Sequence, residues 1–473
     1  MGDLWTVAEI VEAVKGQCSL EPEAQKACHI GSISIDSRTL EQGALYVAIQ
    51  GVSQDGHKFV GPAFQAGAGA ALVREGFQVE GGESQGVLIY VPDTLAALEA
   101  LGRTARARTE AKIIAVTGSA GKTGTKEALH SMLECNGPTH ASVKSFNNHW
   151  GVPLSLARMP QDSVFGVFEV GMNHAGEIEP LSKMIAPDVA LITTVAPVHI
   201  GHFANEEEIA DAKAEIFAGV KPGGGVILPA DNRHYERLVA SAHRAGIERI
   251  IGFGRAEGAP ARMLEGQFDR EGSVVRADIL GQQVRFKIAM PGEHIALNFV
   301  GALAGVSLLG GDVQRAAEVL ERLAPPEGRG GRYELSLPNG SFLLIDESYN
   351  ANPASMEVAL KNLSMMRGQA YSRRIAVLGD MLELGARSKA YHQDIAAQVG
   401  NLEVNLVFAA GEMMRDMFEQ LPLEKQAGYG ATSIELCSLV EKKLQPGDVV
   451  MVKGSLGSQM GHIVQRLKDN YKA

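Results

Sequence analysis

Cysteine is scarce: Cys18, Cys28, Cys135 and Cys437 are the only four in 473 residues, and no CxxC pair occurs. A zinc site or redox dithiol therefore has no support, and so few cysteines in so long a chain point to a reducing compartment. Basic runs are missing too, since 44 Lys and Arg stand against 55 Asp and Glu for a net charge of −11. That balance argues against nucleic-acid binding, which needs a basic stripe. No stretch approaches ~20 uninterrupted apolar residues, so no membrane span or insertion is expected. The basic region that opens a signal peptide is also lacking. Asp3 precedes the first apolar residues, and Val7, Ile10, Val11 and Val14 follow the spacing of a core-facing helix. No internal repeat or low-complexity tract occurs. Hydrophobic residues at 45% and charged residues at 21% exclude disorder. A soluble, cytoplasmic chain remains, with room for about three domains at ~150 residues each.

Glycine is what the sequence has in excess, 54 of 473 residues against a usual ~7%. Many glycines close short apolar runs, such as Lys112–Gly118 and Val164–Gly171, and Asp188–Thr194, Gly225–Pro229 and Arg249–Gly254 are further short apolar runs. Phe342–Asp346, Arg374–Gly379, Asn405–Gly411 and Asp448–Gly454 continue the series. Continuous Val/Ile/Leu runs predict strands buried on both faces. Helical stretches such as Glu207–Val220 lie between them, and that alternation predicts an α/β protein with parallel sheets. Two breaks, the basic stretch Arg103–Thr109 and the Pro/Gly/Arg stretch Ala324–Arg332, divide the chain into segments 1–105, 106–325 and 326–473.

The strongest motif is Thr117-Gly-Ser-Ala-Gly-Lys-Thr-Gly124, between a strand-like run and the helix-like Lys126–Leu133. Strand, glycine loop and helix start together make a phosphate cradle: the backbone N–H groups of Gly118, Ser119, Ala120, Gly121 and Gly124 face an anion. Lys122 would reach the β- and γ-phosphates of a nucleotide, and the Thr123 hydroxyl would sit on Mg²⁺. The full GxxxxGK[ST] spacing is not met, because Val116 stands where the first glycine belongs.

Other polar groups sit at later strand ends, where open α/β sheets bind ligands. Glu169 closes a buried run and would need a partner such as Mg²⁺, although a strand-end acid is as often a capping or loop residue. His199 and His202 follow another run, and a loop histidine taken alone is more often structural. Lys213, downstream of Glu206–Glu208, reads on composition as part of a solvated helix face. Asn298 could read an adenine edge or simply cap its helix. The dense polar cluster Asp346–Pro353 suggests a second ligand surface, with surface turn chemistry as the alternative.

These motifs, in this order, resemble the Mur ligases of bacterial peptidoglycan synthesis across all three segments. Ser34-Ile-Asp-Ser-Arg38 and Gln54-Asp-Gly-His57 resemble the family's UDP-sugar-binding domain. The phosphate loop, Phe146-Asn-Asn-His-Trp-Gly-Val-Pro153, Glu169-Val-Gly-Met-Asn-His174 and His199 resemble its central ATP-binding domain. Asp346–Met356, Gly379-Asp-Met-Leu-Glu-Leu-Gly385 and Lys453-Gly-Ser455 resemble its C-terminal Rossmann-like domain.

The resemblance implies ATP and two Mg²⁺ ions as cofactors. Lys122 would act on the γ-phosphate, Thr123 and Glu169 would hold Mg²⁺, and His199 would contact a second ion. Lys213 matches the family lysine that CO₂ carbamylates, and would serve both catalysis and metal. Asn298 would contact adenine and Asp346 the ribose or adjacent nucleotide groups. Ser37, Arg38, Asp55, Asn147 and Asn148 would hold a UDP-N-acetylmuramoyl-tripeptide. Asn350 and Asn352, with the Glu383/His392 region, would hold D-alanyl-D-alanine.

The implied reaction is amide formation through an acyl phosphate in a monomer, with a hinge at Ala324–Arg332. The sequence departs from the family pattern at Leu456, Gly461 and Ile295. The branch that adds a diamino acid would carry Asp-Asn-Pro-Arg, which is absent. Folylpolyglutamate synthase would have Asp-Gly-Ala-His-Asn in place of Asp346-Glu-Ser-Tyr-Asn350. A noncatalytic nucleotide switch would leave Glu169, His199 and Lys213 without a shared purpose.

Overall fold

A computed structural model describes residues 4–51, 54–79, 86–143, 145–197, 203–269, 272–290, 292–325, 327–366 and 371–472. The chain forms two compact units: Met1–Ala196 with Glu206–Leu323, and Pro197–Asn205 with Ala324–Ala473. The first unit contains the sheets of the first two predicted segments.

In the first of these sheets the strands run in the order Gln17–Cys18, Val87–Val91, Ala70–Arg74, Leu45–Val47, Ile33–Ser34. All neighbours are parallel except the first pair. Helix Val7–Val14 buries Val7 and Ile10 against this sheet, as the spacing predicts. Its start is fixed by Thr6, whose hydroxyl accepts the Glu9 N–H while Glu9 reaches back to the Thr6 N–H, a reciprocal cap.

The stretch Arg103–Thr109, read from sequence as a break, is mostly helix: Thr94–Ala107 runs through it. Leu98, Leu101 and Ala105 are fully buried along one face. Arg106 turns inward and donates to the carbonyls of Ile185 and Ala186, satisfying the end of another helix. The predicted boundary at 105/106 therefore falls in a packed helical turn.

The second sheet has nine strands. Lys112–Thr117 lies between Phe165–Glu169 and Val189–Ile192, and all three run parallel. Thr139–Ala141 flanks one side, and Gly225–Pro229 and Arg249–Gly254 the other. The chain reverses its direction of strand addition at Lys112–Thr117, which makes the C-terminal end of that strand a topological switch point. Ala261–Phe268, Ser273–Ile279 and Gln282–Ile288 add an antiparallel extension that the search for continuous apolar runs missed. These strands alternate buried and partly exposed residues, the pattern of a half-covered antiparallel sheet. Helix Glu293–Leu308 packs Phe299, Val300, Leu303 and Val306 into the core beneath the sheet.

The second unit is a six-stranded sheet in the order Gly331–Leu337, Gly340–Glu347, Asp448–Lys453, Arg373–Gly379, Leu406–Ala410, Gln426–Gly430. Only the first pair is antiparallel, joined by a tight turn at Pro338 and Asn339. Apolar clusters cover both faces, as expected for a parallel sheet.

Candidate active site

The phosphate loop sits at the switch point. Strand Lys112–Thr117 is buried beyond its first residue, and helix Lys122–Glu134 starts directly after Gly121. Gly121 has φ 81°, in the left-handed region, and a Cβ there would overlap the Asn298 side-chain amide. A Cβ on Gly118 would overlap the Thr193 hydroxyl. Both glycines are thus required by close approach as well as by backbone shape. Ser119 is pinned through its N–H to Thr194 O (2.9 Å) and its hydroxyl to Ala196 O (2.9 Å), so its N–H, expected from the sequence to face the anion, is taken by the neighbouring strand end. Thr193 Oγ1 donates to Ala120 O at 2.6 Å. The Lys122 ammonium folds back onto Gly118 O at 2.7 Å, inside the cradle it would serve.

Glu169 ends the neighbouring strand, with its Cα opposite Val116. It is fully buried, and Asn147 Nδ2 donates to its Oε1 at 2.7 Å. Its Oε2 has no hydrogen-bond partner, and neither has the buried Thr123 Oγ1. A buried unpartnered carboxylate oxygen is costly unless a cation completes it. Thr123 and Glu169 offer hard oxygen donors of the kind Mg²⁺ takes, one or two from protein and the rest from phosphates and water. Among the described residues no group of three or more His, Cys, Asp or Glu is gathered. His199 and His202 lie outside the described residues.

Lys213 is not on a solvated face. It is 2% exposed on helix Glu206–Ala214. No acid among the described residues pairs with it. Burial, and secondarily the like charge of Lys122, hold its ammonium well below the ordinary lysine range. A lysine so placed favours the neutral amine, which is the form that attacks CO₂.

Asn298 lies in the second turn of its helix, against Gly121. It brings a side-chain amide to the loop and does not act as the N-cap, which is Gly292.

In the first sheet, Ser37 and Arg38 lie on a short turn capped by Asp36, and Arg38 forks onto the Asp36 carboxylate at 2.9 and 2.7 Å. Asp55 accepts the His57 N–H at 3.0 Å and faces His57 Nδ1 at 2.6 Å. His57 Nε2 accepts the Arg74 N–H, which fixes the imidazole proton on Nδ1. The His57 backbone donor holds the Asp55 carboxyl below its usual range. Asn148 caps helix Gly151–Ala157 by accepting the Gly151 N–H. A cleft of about 1430 Å³ opens in this unit, lined by Trp5, Ile35, Asp36, Arg108, Phe146 and Arg158 among others. Ser37, Arg38, Asp55 and the phosphate loop do not line it.

In the second unit Asp346 ends a strand and accepts from Gly328 N, Ser348 N and Ser348 Oγ. Lys453, buried beside it, bonds Glu347 at 3.3 Å and Asn350 O at 3.0 Å. Asn352 caps helix Pro353–Ser364. His392 is fully buried between Met381 N and Ser388 O, and its role is local. Sequence reasoning missed Lys126, Ser142 and Thr193. All three are buried polar residues, and lysine four residues past Lys122 on one helix face was the available signal.

A phosphate loop at a switch point, with a carboxylate on the next strand that keeps one oxygen unpartnered, defines a nucleotide-binding α/β enzyme. The chain belongs to the Mur ligase family. Family models match at residues 116–306 (Mur ligase middle domain), 331–456 (Mur ligase, glutamate ligase domain) and 29–130 (Mur ligase family, catalytic domain). The chain is similar to the UDP-N-acetylmuramoyl-tripeptide–D-alanyl-D-alanine ligase of Bacillus subtilis (strain 168), 31% identical over 98% of each chain. It is also similar to the ligase of the same name from Rickettsia prowazekii, 29% identical over 93% of this chain and 96% of that one. A crystal structure of MurF from Acinetobacter baumannii superposes with a TM-score of 0.82 and 28% identity, covering 98% of this chain and 99% of that one.

Proposed function

We propose that this chain joins D-alanyl-D-alanine to UDP-N-acetylmuramoyl-tripeptide at the expense of ATP, forming the UDP-muramoyl-pentapeptide for peptidoglycan. The observation that carries this reading is the pair of buried, unpartnered oxygens, Thr123 Oγ1 and Glu169 Oε2, beside a phosphate loop. The tripeptide carboxylate attacks the γ-phosphorus, the bond to the β–γ bridging oxygen breaks, and ADP leaves. The dipeptide amine then attacks the acyl phosphate, phosphate departs, and the amine's proton passes to solvent.

The loop N–H groups and Lys122 bind the phosphates and offset the charge that builds on the transferred group. Thr123 and Glu169 would hold Mg²⁺ and His199 would contact a second ion, and the metal would supply Lewis acidity to the phosphates. Lys213 acts as a carbamate: its neutral amine forms an N–C bond to CO₂ and releases one proton, giving an anion suited to metal. Asn298 contacts adenine and Asp346 the ribose or adjacent nucleotide groups. Asn350 serves the dipeptide, with Asn352 shaping that turn as the cap of helix Pro353–Ser364, and Ser37, Arg38, Asp55, Asn147 and Asn148 serve the UDP-sugar-peptide. Three segments divide these tasks in a cytoplasmic monomer, the first of them ending after helix Thr94–Ala107.

The test is phosphate release from ATP with UDP-N-acetylmuramoyl-tripeptide and a panel of amines. Stimulation by D-alanyl-D-alanine above single amino acids is expected. Its absence overturns the assignment.

A further inference from the structure

Lys126 is 1% exposed and lies one turn beyond Lys122 on the helix that starts at the phosphate loop. A buried ammonium is costly without acceptors, and no step of the reaction above uses this one. Its Nζ donates to Ser142 O at 2.6 Å and to the half-exposed Glu127 carboxylate at 2.5 Å.

Ser142 is the link to Glu169. Its N–H donates to Val167 O at 3.1 Å, carrying strand Thr139–Ala141 one residue further along Phe165–Glu169. Its hydroxyl accepts the Glu169 backbone N–H at 3.1 Å. Five residues on, Asn147 Nδ2 holds Glu169 Oε1, and Asn147 O accepts the Gly171 N–H at 2.8 Å. Ser142 and Asn147 thus grip Glu169 by both its backbone and its carboxylate. Lys126 ties Ser142 to the helix that carries Thr123. Thr123 Oγ1 and Glu169 Oε2 are the two orphaned oxygens, and they stand on opposite sides of this tie.

We propose that Lys126 is a positioning residue for the magnesium site: through Ser142 it fixes Glu169 relative to Thr123. This rests on the nucleotide–magnesium reading of the loop. Partners behind a metal ligand typically set affinity by ~10–100-fold.

The test measures binding of a fluorescent ATP analogue to the purified full chain as Mg²⁺ is titrated, together with the thermal midpoint. Lys126→Met should raise the half-saturating Mg²⁺ about tenfold or more and leave Mg²⁺-free nucleotide binding within about twofold. Ser142→Ala, which removes only the hydroxyl that accepts the Glu169 N–H, should raise it several-fold at an unchanged fold. If Lys126→Met does not fold, Ser142→Ala decides. A half-saturating Mg²⁺ within about twofold of the parent in a folded variant overturns the proposal, as does Mg²⁺-independent nucleotide binding by the parent. Loss of the ligase reading leaves a different mark, in which Mg²⁺-dependent nucleotide binding persists without dipeptide-stimulated phosphate release.

Discussion

Replacing Lys213 with methionine tests whether its amine is held neutral. An unfolded lysine titrates near ~10.4, and burial with the like charge of Lys122 depresses the folded value, so below the unfolded value burying Lys213 costs stability. The site offers little to offset that cost: Lys213 is 2% exposed, and the charge that acts on it is the like charge of Lys122. Methionine has nearly the same length and no proton to lose. In CO₂-free buffer at pH 7, Lys213→Met should therefore be more stable than the parent by about 2–4 kcal/mol, read from urea midpoints.

The sign of the pH dependence follows from the depressed folded value. Between the folded and unfolded pKa the unfolded chain binds more protons, so parent stability rises with pH and the gap closes toward ~10. Bicarbonate should stabilise the parent and leave the variant unchanged, because a carbamate turns the repulsion from Lys122 into attraction. Turnover of the variant should fall by ~10²–10³, and Lys213→Ala should be partly rescued by a short carboxylic acid. A methionine variant less stable than the parent, or a gap that does not change with pH, would refute the reasoning.

Three further outcomes are expected. Gly121→Ala forces a left-handed backbone on a side chain that overlaps the Asn298 amide. It should cost about 1–2 kcal/mol of stability and raise the KM for ATP, both seen in one melting and kinetic series. Trp5→Phe removes the 2.9 Å bond from Nε1 to Ala157 O, which joins strand Trp5–Thr6 to helix Gly151–Ala157. It should lower stability by ~0.5–1.5 kcal/mol with turnover within about twofold. Asp55→Asn removes a carboxyl held below its usual range chiefly by the His57 N–H. The stability that Asp55 contributes is present above ~3.9 and lost as pH falls through the folded value, so acid unfolding curves of parent and variant should converge at low pH.

The parallel strands were legible because burial on both faces leaves unbroken apolar runs. Lys112–Thr117 and Asp448–Lys453 are examples, each closed by the glycine or polar group that marks a ligand edge. The extension 261–288 was not legible by that criterion, since half of its residues face outward and its signal is alternation. Gly331–Leu337 hid behind the glycines and arginines before it, although Asn339-Gly340 supplied a hairpin signal. The phosphate loop could be read residue by residue because its glycines, Lys122 and Thr123 follow one another in the chain, although Thr193, Thr194, Ala196 and Asn298, which hold or crowd it, come from far along the sequence. Lys213 could not: its neighbours along the helix are Glu206–Glu208 and Asp211, and only packing reveals that its own face is buried. Asn352 is the converse case, a residue whose polar neighbourhood suggested a ligand and whose side chain is occupied by a helix cap.

The net charge of −11 sets a condition that the site must meet, because the proposed substrates are anions approaching a protein of the same sign. Screening at physiological salt confines an exposed charge to ~8 Å. The distributed acids therefore act on encounter, while donors at hydrogen-bond distance decide what stays bound. Within a turn of the phosphate loop lie Lys122 and Lys126, one folded onto the cradle and the other buried behind it. The acid closest in the sheet, Glu169, carries an unpartnered oxygen and would repel a phosphate unless a cation stood between them. Metal and nucleotide must then bind as a pair, with neither held well alone. Added salt should accordingly speed nucleotide association, by screening like charges, and should change the dissociation rate far less. A nucleic-acid-binding protein would show the reverse, with affinity falling steeply as salt rises.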